Sequence, residues 1–321
     1  MTFTNLKEVQ IAPTAIELLK QQLLFTGMTW LDGGLDFAGK QNDTITLRLP
    51  AYGKANERVM RSATGVTMSE LHERGIDVKL DTHIYHAIQL TDEVMTLDIE
   101  SFAGQILSPQ AEAVARHLES KVVTTATGAT YQTELTVDPT DPRKFIRDAR
   151  AALNKANVPM SDRWVALGAD VENALLSDST LERVDTSGSS SVLREGTIGR
   201  LYGFNLVSVP TLPVDTAIAF HRSAFTLATR TPVIPAGVSF GAAASSNGVA
   251  MRWIRDYADA LLSDRSLVDM YCGTGIVTDI GTVGEDGVFE PAVDPNDEDA
   301  ETVFVRAVKA TLAGDEPDPN P

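Results

Sequence analysis

The sequence predicts an α+β fold, and three observations lead to this prediction. One long segment, Asp98 to Thr127, has the periodicity of an amphipathic helix. The segments on both sides of it alternate apolar and polar side chains, as half-buried strands do. Residues 141–231 then alternate between helical and strand-like stretches, which is typical of a second α/β or α+β domain. A chain of 321 residues, 43% of them hydrophobic, is long enough for two domains or for one with large insertions.

The central helix is predicted from the spacing of its apolar residues. Ser108 and Pro109 suit the N-cap and the first helical position, after a shorter helix over residues 99–107. One face is formed by Ala111, Val114, Ala115, Leu118 and Val122. The opposite face carries Glu112, Arg116, Glu119 and Ser120. We expect the apolar face to pack on a sheet formed by residues 237–272.

The segment before this helix reads as a β-ribbon that needs a neighbour. Strands are predicted at Thr44–Leu49, 76–80 and 84–90, around a polar loop with little core-forming material. Such a ribbon buries too little of its own surface to be stable alone. The basic residues available for contact with an adjacent acidic surface are Arg48, Lys54, Arg58 and Arg61. Further upstream, Thr14–Phe25 is either a docking arm helix or an ordinary packed terminal helix.

The segment after the helix supplies the second domain and a hairpin. Asp141 is predicted to be the N-cap of a helix and Pro142 its first residue. The apolar face of this helix is predicted to consist of Phe145, Ile146, Ala149, Ala152, Leu153 and Ala156. The further predicted elements are strands at 164–167, 204–209, 217–220 and 225–228 and a short helix at 170–176. Asn247-Gly248 predicts a hairpin between strands at 238–244 and 249–257. A last strand, Arg265–Cys272, is predicted to end at Gly273.

Composition and charge exclude several classes of protein. No apolar run is long enough to span a membrane, the N-terminus does not have the pattern of a signal peptide, and the single Cys272 cannot form an intramolecular disulfide. The sequence lacks a basic stripe with interleaved aromatic residues, so sequence-specific DNA binding is not predicted. The net charge is −17, and residues 281–321 contribute much of it, with eleven acidic residues against Arg306 and Lys309. This tail is interpreted as solubilising, or as a surface that repels nucleic acid or meets a basic partner.

The sequence predicts no catalytic residues, no cofactor-binding residues and no metal ligands. His83 and His86 lie three apart in a strand and so point to opposite faces, and His117 lies beside the polar face of the helix. Cys272 has no nearby histidine and is interpreted as a core residue. Gly273-Thr274-Gly275 lacks the third glycine and the helix of a dinucleotide-binding loop. The acidic run 294–301 allows at most a weak, adventitious cation site.

Six segments of the chain resemble, in order, the major capsid proteins of tailed bacteriophages, in particular the P22 coat-protein-like branch found in phages of actinobacteria. They are GKQNDTITLRLPAY (39–52), LTDEVMTLDIESFAGQILSPQAEAVARHLE (90–119), RWVALGADVENALL (163–176), LREGTIGRLYGFNLVSVPTLP (193–213), AFHRSAFTLATRTPVIP (219–235) and RWIRDYADALLSDRSLVDMYCGTGIV (252–277).

This resemblance implies an HK97-type capsid fold. It divides the chain into an N-terminal arm (1–30), an extended loop (31–92), a first part of the peripheral domain with the spine helix (93–140), an axial domain (141–231), a second part of the peripheral domain (232–280) and an acidic C-terminal extension (281–321). The extension is a decoration, a small added strand pair or an inner-surface tail.

The implied function is that of a structural subunit, not an enzyme, which self-assembles into the hexamers and pentamers of an icosahedral head around double-stranded DNA. The implied partners are the subunit itself, a separate scaffolding protein, a portal and decoration proteins. DNA is enclosed without sequence-specific binding, and no membrane is involved. The subunit would reside in the virion, and in the host cytoplasm during assembly. Two alternatives are an encapsulin-like nanocompartment shell and a hydrolase with a dispersed site.

Overall fold

The computed structural model of the chain divides into two units, each with a six-stranded main sheet of its own. The residues it describes are 23–32, 44–49, 52–53, 55–61, 65–66, 68, 72–93, 102–177, 199–238, 240–246, 248–258, 263–292, 294 and 300–313. The predicted arm helix 14–25 lies almost entirely outside them. In the described part of the chain, no helix is both long and apolar enough to cross a membrane.

In the described part of the chain, strands outnumber helices, as expected of an α+β protein. The helices are α1 (Ser108–Thr127), α2 (Lys144–Lys155) and α3 (Ala169–Leu176). The strands are β1 (Trp30–Asp32), β2 (Thr44–Leu49), β3 (Arg74–Lys79), β4 (Thr82–Thr91), β5 (Glu134–Val137), β6 (Arg163–Leu167), β7 (Arg200–Leu201), β8 (Phe204–Ser208), β9 (Thr216–His221), β10 (Phe225–Arg230), β11 (Phe240–Ser246), β12 (Val249–Ala258), β13 (Ser263–Ile276), β14 (Asp279–Val283), β15 (Phe289–Pro291), β16 (Glu301–Val303) and β17 (Ala307–Leu312).

The first unit lies within residues 1–45, 78–129 and 225–276 and is organised around the long strand β13. Its sheet has the order β1-β10-β13-β12-β11, and β4 also pairs with β13. The pairs are antiparallel except for β1 and β10. The predicted hairpin is present: Ser246 pairs with Val249, and Gly248 takes the positive φ of 81° that such a turn requires.

Helix α1 covers one face of this sheet, as its sequence predicts. The five predicted apolar positions are buried, with Leu118 fully inaccessible, and the helix contacts β13 and β4. A π-helical turn, Ala103–Leu107, leads directly into it. A short helical segment therefore abuts the long helix, as predicted, but Leu107 is helical and Ser108 makes no side-chain capping bond, so the predicted N-cap role of Ser108 is wrong.

One residue of the predicted polar face of α1 is buried, and this corrects the prediction. Glu119 is only 3% exposed. Its carboxylate accepts hydrogen bonds from the backbone N–H groups of Phe25 and Thr26 and from the Thr26 hydroxyl, the last at 2.6 Å. The buried charge is tolerated because three donors satisfy it. Glu119 therefore anchors the turn at Thr26–Met28 to the helix.

Strand β13 continues past the predicted end at Gly273. A Cβ atom at this position would lie 2.1 Å from the backbone oxygen of Lys79, so only glycine allows the two backbones to approach so closely. Gly273 is therefore an internal strand residue, and the close approach of the Lys79 backbone requires glycine at this position.

The second unit lies within residues 46–77, 130–224 and 277–321. Its main sheet has the order β5-β17-β9-β6-β8-β7, with β5/β17 and β6/β8 parallel and the other pairs antiparallel. Helices α2 and α3 share one hydrophobic cluster with this sheet. Of the predicted apolar face of α2, Phe145, Ile146, Ala149 and Leu153 are buried, whereas Ala152 and Ala156 are half-buried at the edge of the cluster. The helix begins at Lys144, two residues after the predicted start, because Asp141 forms an ion pair with Arg147 and provides no cap.

The C-terminal segment differs most from its prediction. From the sequence, residues 281–321 are expected to form an acidic extension outside the core, with a small added strand pair as one alternative. Instead, β17 lies between β5 and β9, and Ala307, Val308 and Ala310 are buried. Strands β14, β15 and β16 form a small three-stranded sheet of their own. The clustered acids obscured the short apolar alternation that places β17 in the core.

Two strands lie in different units from those that the predicted boundaries imply. The strand β4, counted with the extended loop 31–92, pairs along its full length with β13 in the first unit. The strand β10, counted with the axial region 141–231, is buried on both faces and also pairs with β13. Both were recognised as strands, but alternation within a strand does not specify its partner.

Candidate functional site: the β2–β3 ribbon

The candidate site is the two-stranded sheet formed by β2 and β3, together with the residues between them. Strand β2 alternates strictly, with Ile45, Leu47 and Leu49 buried and Arg48 exposed. The Thr46 hydroxyl donates a 2.6 Å hydrogen bond to Asp77 across the pair. Strand pairing and a buried side-chain row thus define the ribbon strands, which the sequence predicts at 44–49 and 76–80.

The described residues between the strands expose large apolar side chains. Val59 and Met60 are 80% and 90% exposed, and Val66 and Met68 are 71% and 88% exposed. Arg61 has a positive φ of 64°, so the chain turns sharply beside Met60. A group of apolar side chains in full contact with water is typical of a surface that meets another molecule. We call Val59, Met60, Val66 and Met68 the ribbon tip.

The four basic residues predicted for subunit contact all come from this region of the chain. Arg48 is exposed and lies 3.9 Å from Glu73, a pair whose mutual attraction is weak in water. Arg58 and Arg61 are exposed on the segment that also carries Val59 and Met60. Lys54 lies outside the described residues. The ribbon therefore combines apolar side chains with adjacent positive charge.

A buried ion pair lies within the second unit, beside the ribbon. The Arg306 guanidinium donates two hydrogen bonds of 2.6 Å to the two oxygens of Asp279, which is 3% exposed. A third bond, of 2.8 Å, goes from Arg306 to the Ser223 hydroxyl. Burial alone would lower the pKa of Arg306, but the hydrogen bonds and the charge of Asp279 raise it above its ordinary value. The guanidinium is therefore firmly held in its charged form.

The ribbon reaches this ion pair from both of its strands. Tyr52, which follows β2, lies close enough to Asp279 and Arg306 for both of their charges to act on its phenol. Arg74, the first residue of β3, donates to the carbonyl oxygen of Thr278 at 2.8 Å and to its hydroxyl at 3.0 Å. Burial raises the pKa of Tyr52, and the negative charge of Asp279 adds to this effect, so the phenol stays neutral. We call Tyr52, Arg74, Ser223, Thr278, Asp279 and Arg306 the root cluster.

Sequence inspection missed the root cluster and Glu119. Asp279 and Arg306 are isolated charges in apolar stretches, VTDIGTV and VFVRAVK, and such isolation is the one local signal available. It does not identify the partner. Arg74 and Thr278 are 204 positions apart in the chain, so no spacing rule connects them.

The residues considered for catalysis are dispersed among core and surface positions. Burial raises the pKa of the Cys272 thiol to about 11, so it is protonated and unsuited to be a nucleophile, as its predicted core position implies. His83 contacts Asp269 at 3.1 Å, and His117 is exposed. Among the described residues, no three His, Cys, Asp or Glu side chains are grouped to hold a metal ion.

Comparison with known proteins extends the sequence resemblance. Residues 75–289 match the model of a family described as phage capsid protein. None of the curated protein sequences is significantly similar to the chain.

Solved structures with a similar fold come from several phages. A structure of Mycobacterium phage Che8 has a TM-score of 0.59 and 20% identity, with 90% of each chain covered. The capsid of the cyanophage P-SCSP1u has a TM-score of 0.57 and 12% identity, over 85% of this chain and 84% of that one. The mature capsid of bacteriophage PhiM1 has the same TM-score and identity, over 91% and 87%. At these identities the likeness concerns the fold alone.

Proposed function

Because the chain belongs to the phage capsid protein family, we propose that it assembles into the hexamers and pentamers of an icosahedral head that encloses double-stranded DNA. The proposal includes an HK97-type fold, in which α1 is the spine helix. The first unit corresponds to the peripheral domain and the main sheet of the second unit to the axial domain. The β2–β3 ribbon corresponds to the extended loop, which becomes shorter than residues 31–92 because β4 pairs with β13.

The ribbon tip is the observation that carries this proposal. Its four large apolar side chains are at least 71% exposed in the single subunit. Full burial of a Val or Met side chain contributes about 1.5–3 kcal/mol, so contact with a neighbouring subunit would repay the cost of leaving them exposed. Repeated around a capsomer, weak contacts of this kind sum to a stable shell.

The basic residues of the ribbon favour contact with an acidic surface on the neighbouring subunit. Arg48, Arg58 and Arg61 are exposed charges, and such groups at the rim of a contact affect orientation and association rate more than affinity. The subunit as a whole has a net charge of −17, so a basic ribbon is attracted to the surface of another copy. The same acidity keeps the shell from binding the enclosed DNA tightly.

Assembly of the expressed protein tests the proposal. We expect particles or capsomers of wild-type protein, alone or with its scaffolding protein, in sedimentation and electron microscopy. Met60→Asp combined with Met68→Asp should abolish them, because charge in the ribbon tip cannot be buried against a neighbour. Met160→Asp is the matched control, since Met160 is 64% exposed but lies outside the ribbon.

Two results would contradict the proposal. The first is a wild-type protein that stays monomeric under all assembly conditions, with scaffolding protein present. The second is normal shells from the double variant at the ribbon tip. Loss of shells in the Met160→Asp control alone would place the decisive contact elsewhere.

A further inference from the structure

The root cluster holds the ribbon to the main body of the second unit through charged and hydrogen-bonding side chains. Strands of a two-stranded ribbon are weakly held by their mutual hydrogen bonds alone. Here Arg74, the first residue of β3, donates two hydrogen bonds to Thr278 in the main body of the second unit, and Tyr52, three residues after β2, lies beside the Arg306–Asp279 pair. The chain is thus held by two hydrogen bonds from one residue where it enters β3, and these fix the direction in which the residues between the strands leave the second unit.

We propose that the root cluster fixes the direction of the ribbon relative to the second unit, and that Arg74 is the positioning residue that determines where the ribbon tip meets a neighbouring subunit. This inference rests on the proposed function. It adds that the reach of the ribbon is set by a polar contact inside the subunit, before any neighbour is met. Preorganisation of this kind lowers the entropy lost on association.

The geometry at Arg74 supports a positioning role. Two nitrogen atoms of one guanidinium donate to two acceptors of one residue, the carbonyl and the hydroxyl of Thr278. A planar group held at two points cannot rotate, whereas a lysine ammonium at the same place would make a single point contact. The next residue, Asp279, holds Arg306, so the segment that receives Arg74 is itself held in place.

Arg74 can be changed without dismantling the second unit. Removing Arg306 would leave Asp279 as an uncompensated buried charge, which disrupts folding. Removing Arg74 leaves an uncharged carbonyl and hydroxyl without their hydrogen-bond donor, and Asp279 keeps both of its hydrogen bonds from Arg306. Arg74 is therefore the position at which direction and stability are separable.

The test combines tryptic digestion with assembly. Trypsin cleaves after Arg58 and Arg61, so the rate of cleavage there reports the freedom of the ribbon. We expect Arg74→Ala to raise this rate at least about tenfold, the effect of losing hydrogen bonds to a charged group. Its melting temperature should stay within a few degrees of the wild-type value, and electron microscopy should show irregular particles in place of uniform shells. Arg74→Lys, which keeps the charge and one contact, should be intermediate.

The matched control is Arg116→Ala. It removes a guanidinium whose partner is the exposed Glu112 on the same helix, and both digestion and particles should remain at wild-type levels. Uniform shells from Arg74→Ala would overturn the inference, whether or not cleavage is faster. The Arg74–Thr278 contact would then stabilise the ribbon locally without determining where it meets a neighbouring subunit. Should Arg74→Ala fail to fold, uniform shells and wild-type cleavage in Arg74→Lys would overturn it equally.

A failure of the proposed function gives a different result. A wild-type protein that forms no particles contradicts the assembly proposal. The cleavage rates alone then test whether Arg74 holds the ribbon in a fixed direction. Faster cleavage in Arg74→Ala would support a fixed ribbon direction, and equal rates would refute it.

Discussion

Substituting Leu118 by alanine should destabilise the first unit by about 3–5 kcal/mol. Leu118 is fully buried at the centre of the apolar face of α1, where the helix contacts β13 and β4. Truncating a leucine in such a position loses the transfer free energy of the side chain and leaves a cavity, and the sum is about 3–5 kcal/mol. Leu118→Asp adds an unpaired buried carboxylate and should prevent folding of this unit, because the total then approaches the stability of a whole domain.

Urea unfolding followed by tryptophan fluorescence measures this effect. The chain has three tryptophans, and Trp164 lies in the second unit. In a Trp164→Phe background the emission comes from Trp30 and Trp253, which both belong to the first unit. With a slope of about 2 kcal/mol per molar urea, Leu118→Ala should lower the midpoint by about 2 M.

Glu112→Ala is the control for this experiment. Glu112 lies on the other face of α1 and pairs with Arg116 near the surface, so its loss should cost about 0.5 kcal/mol or less. If the two variants differed by less than about 1 kcal/mol, α1 would not be packed through the face described, and its role as the spine of the first unit would be refuted.

Two further substitutions test buried polar groups. Glu119→Gln should destabilise the turn at Thr26–Met28 by about 2 kcal/mol, since one amide oxygen replaces a charged acceptor of three hydrogen bonds, and amide exchange of Phe25 and Thr26 should accelerate accordingly. Unchanged exchange would show that the carboxylate is not the anchor. Burial, and then the charge of Arg306, lower the pKa of His221, so the folded state binds its proton less readily than the unfolded state does. Stability should therefore fall as the pH drops below about 6.5 and continue to fall until the folded-state pKa is passed, and His221→Asn should remove this part of the dependence in pH-dependent melting.

Periodicity predicted the elements whose partners are apolar and interchangeable. The buried faces of α1 and α2 follow from spacing alone, because any apolar surface satisfies them. The hairpin before Val249 follows from the turn chemistry of two residues. In each case the determining signal lies within about ten residues of the element.

The remaining features depend on partners distant in sequence. Glu119 has the spacing of a surface residue, but its donors lie 93 and 94 positions away, and only the fold brings them to it. Gly273 resembles a strand terminator until the backbone of Lys79 is placed against it. Apolar alternation in β4 and β10 predicts a strand correctly and leaves its sheet open, because register and partner are chosen by the whole surface.

The candidate site was predicted only in outline. The basic residues and the exposed strands of the ribbon were recognised, since charge and alternation are local. Its apolar tip was overlooked, because Val59, Met60, Val66 and Met68 are spread among polar residues with neither a helical nor a strand period. The root cluster requires four distant parts of the chain to meet, namely the ribbon, Ser223, Thr278 with Asp279, and Arg306, and no sequence period encodes that.

The position of β17 also bears on the order of events during synthesis. Strand β9 is complete at His221, but its partner begins only at Ala307. At about 5–20 residues per second, the ribosome needs roughly 4–17 s to supply it. Until then one edge of β9 is unpaired, and β5 has no strand to join. The main sheet of the second unit therefore closes only when the last strand arrives. A chain that stops early, with its ribbon already made, lacks the sheet beside which the ribbon is rooted, so synthesis itself would keep incomplete subunits out of the shell.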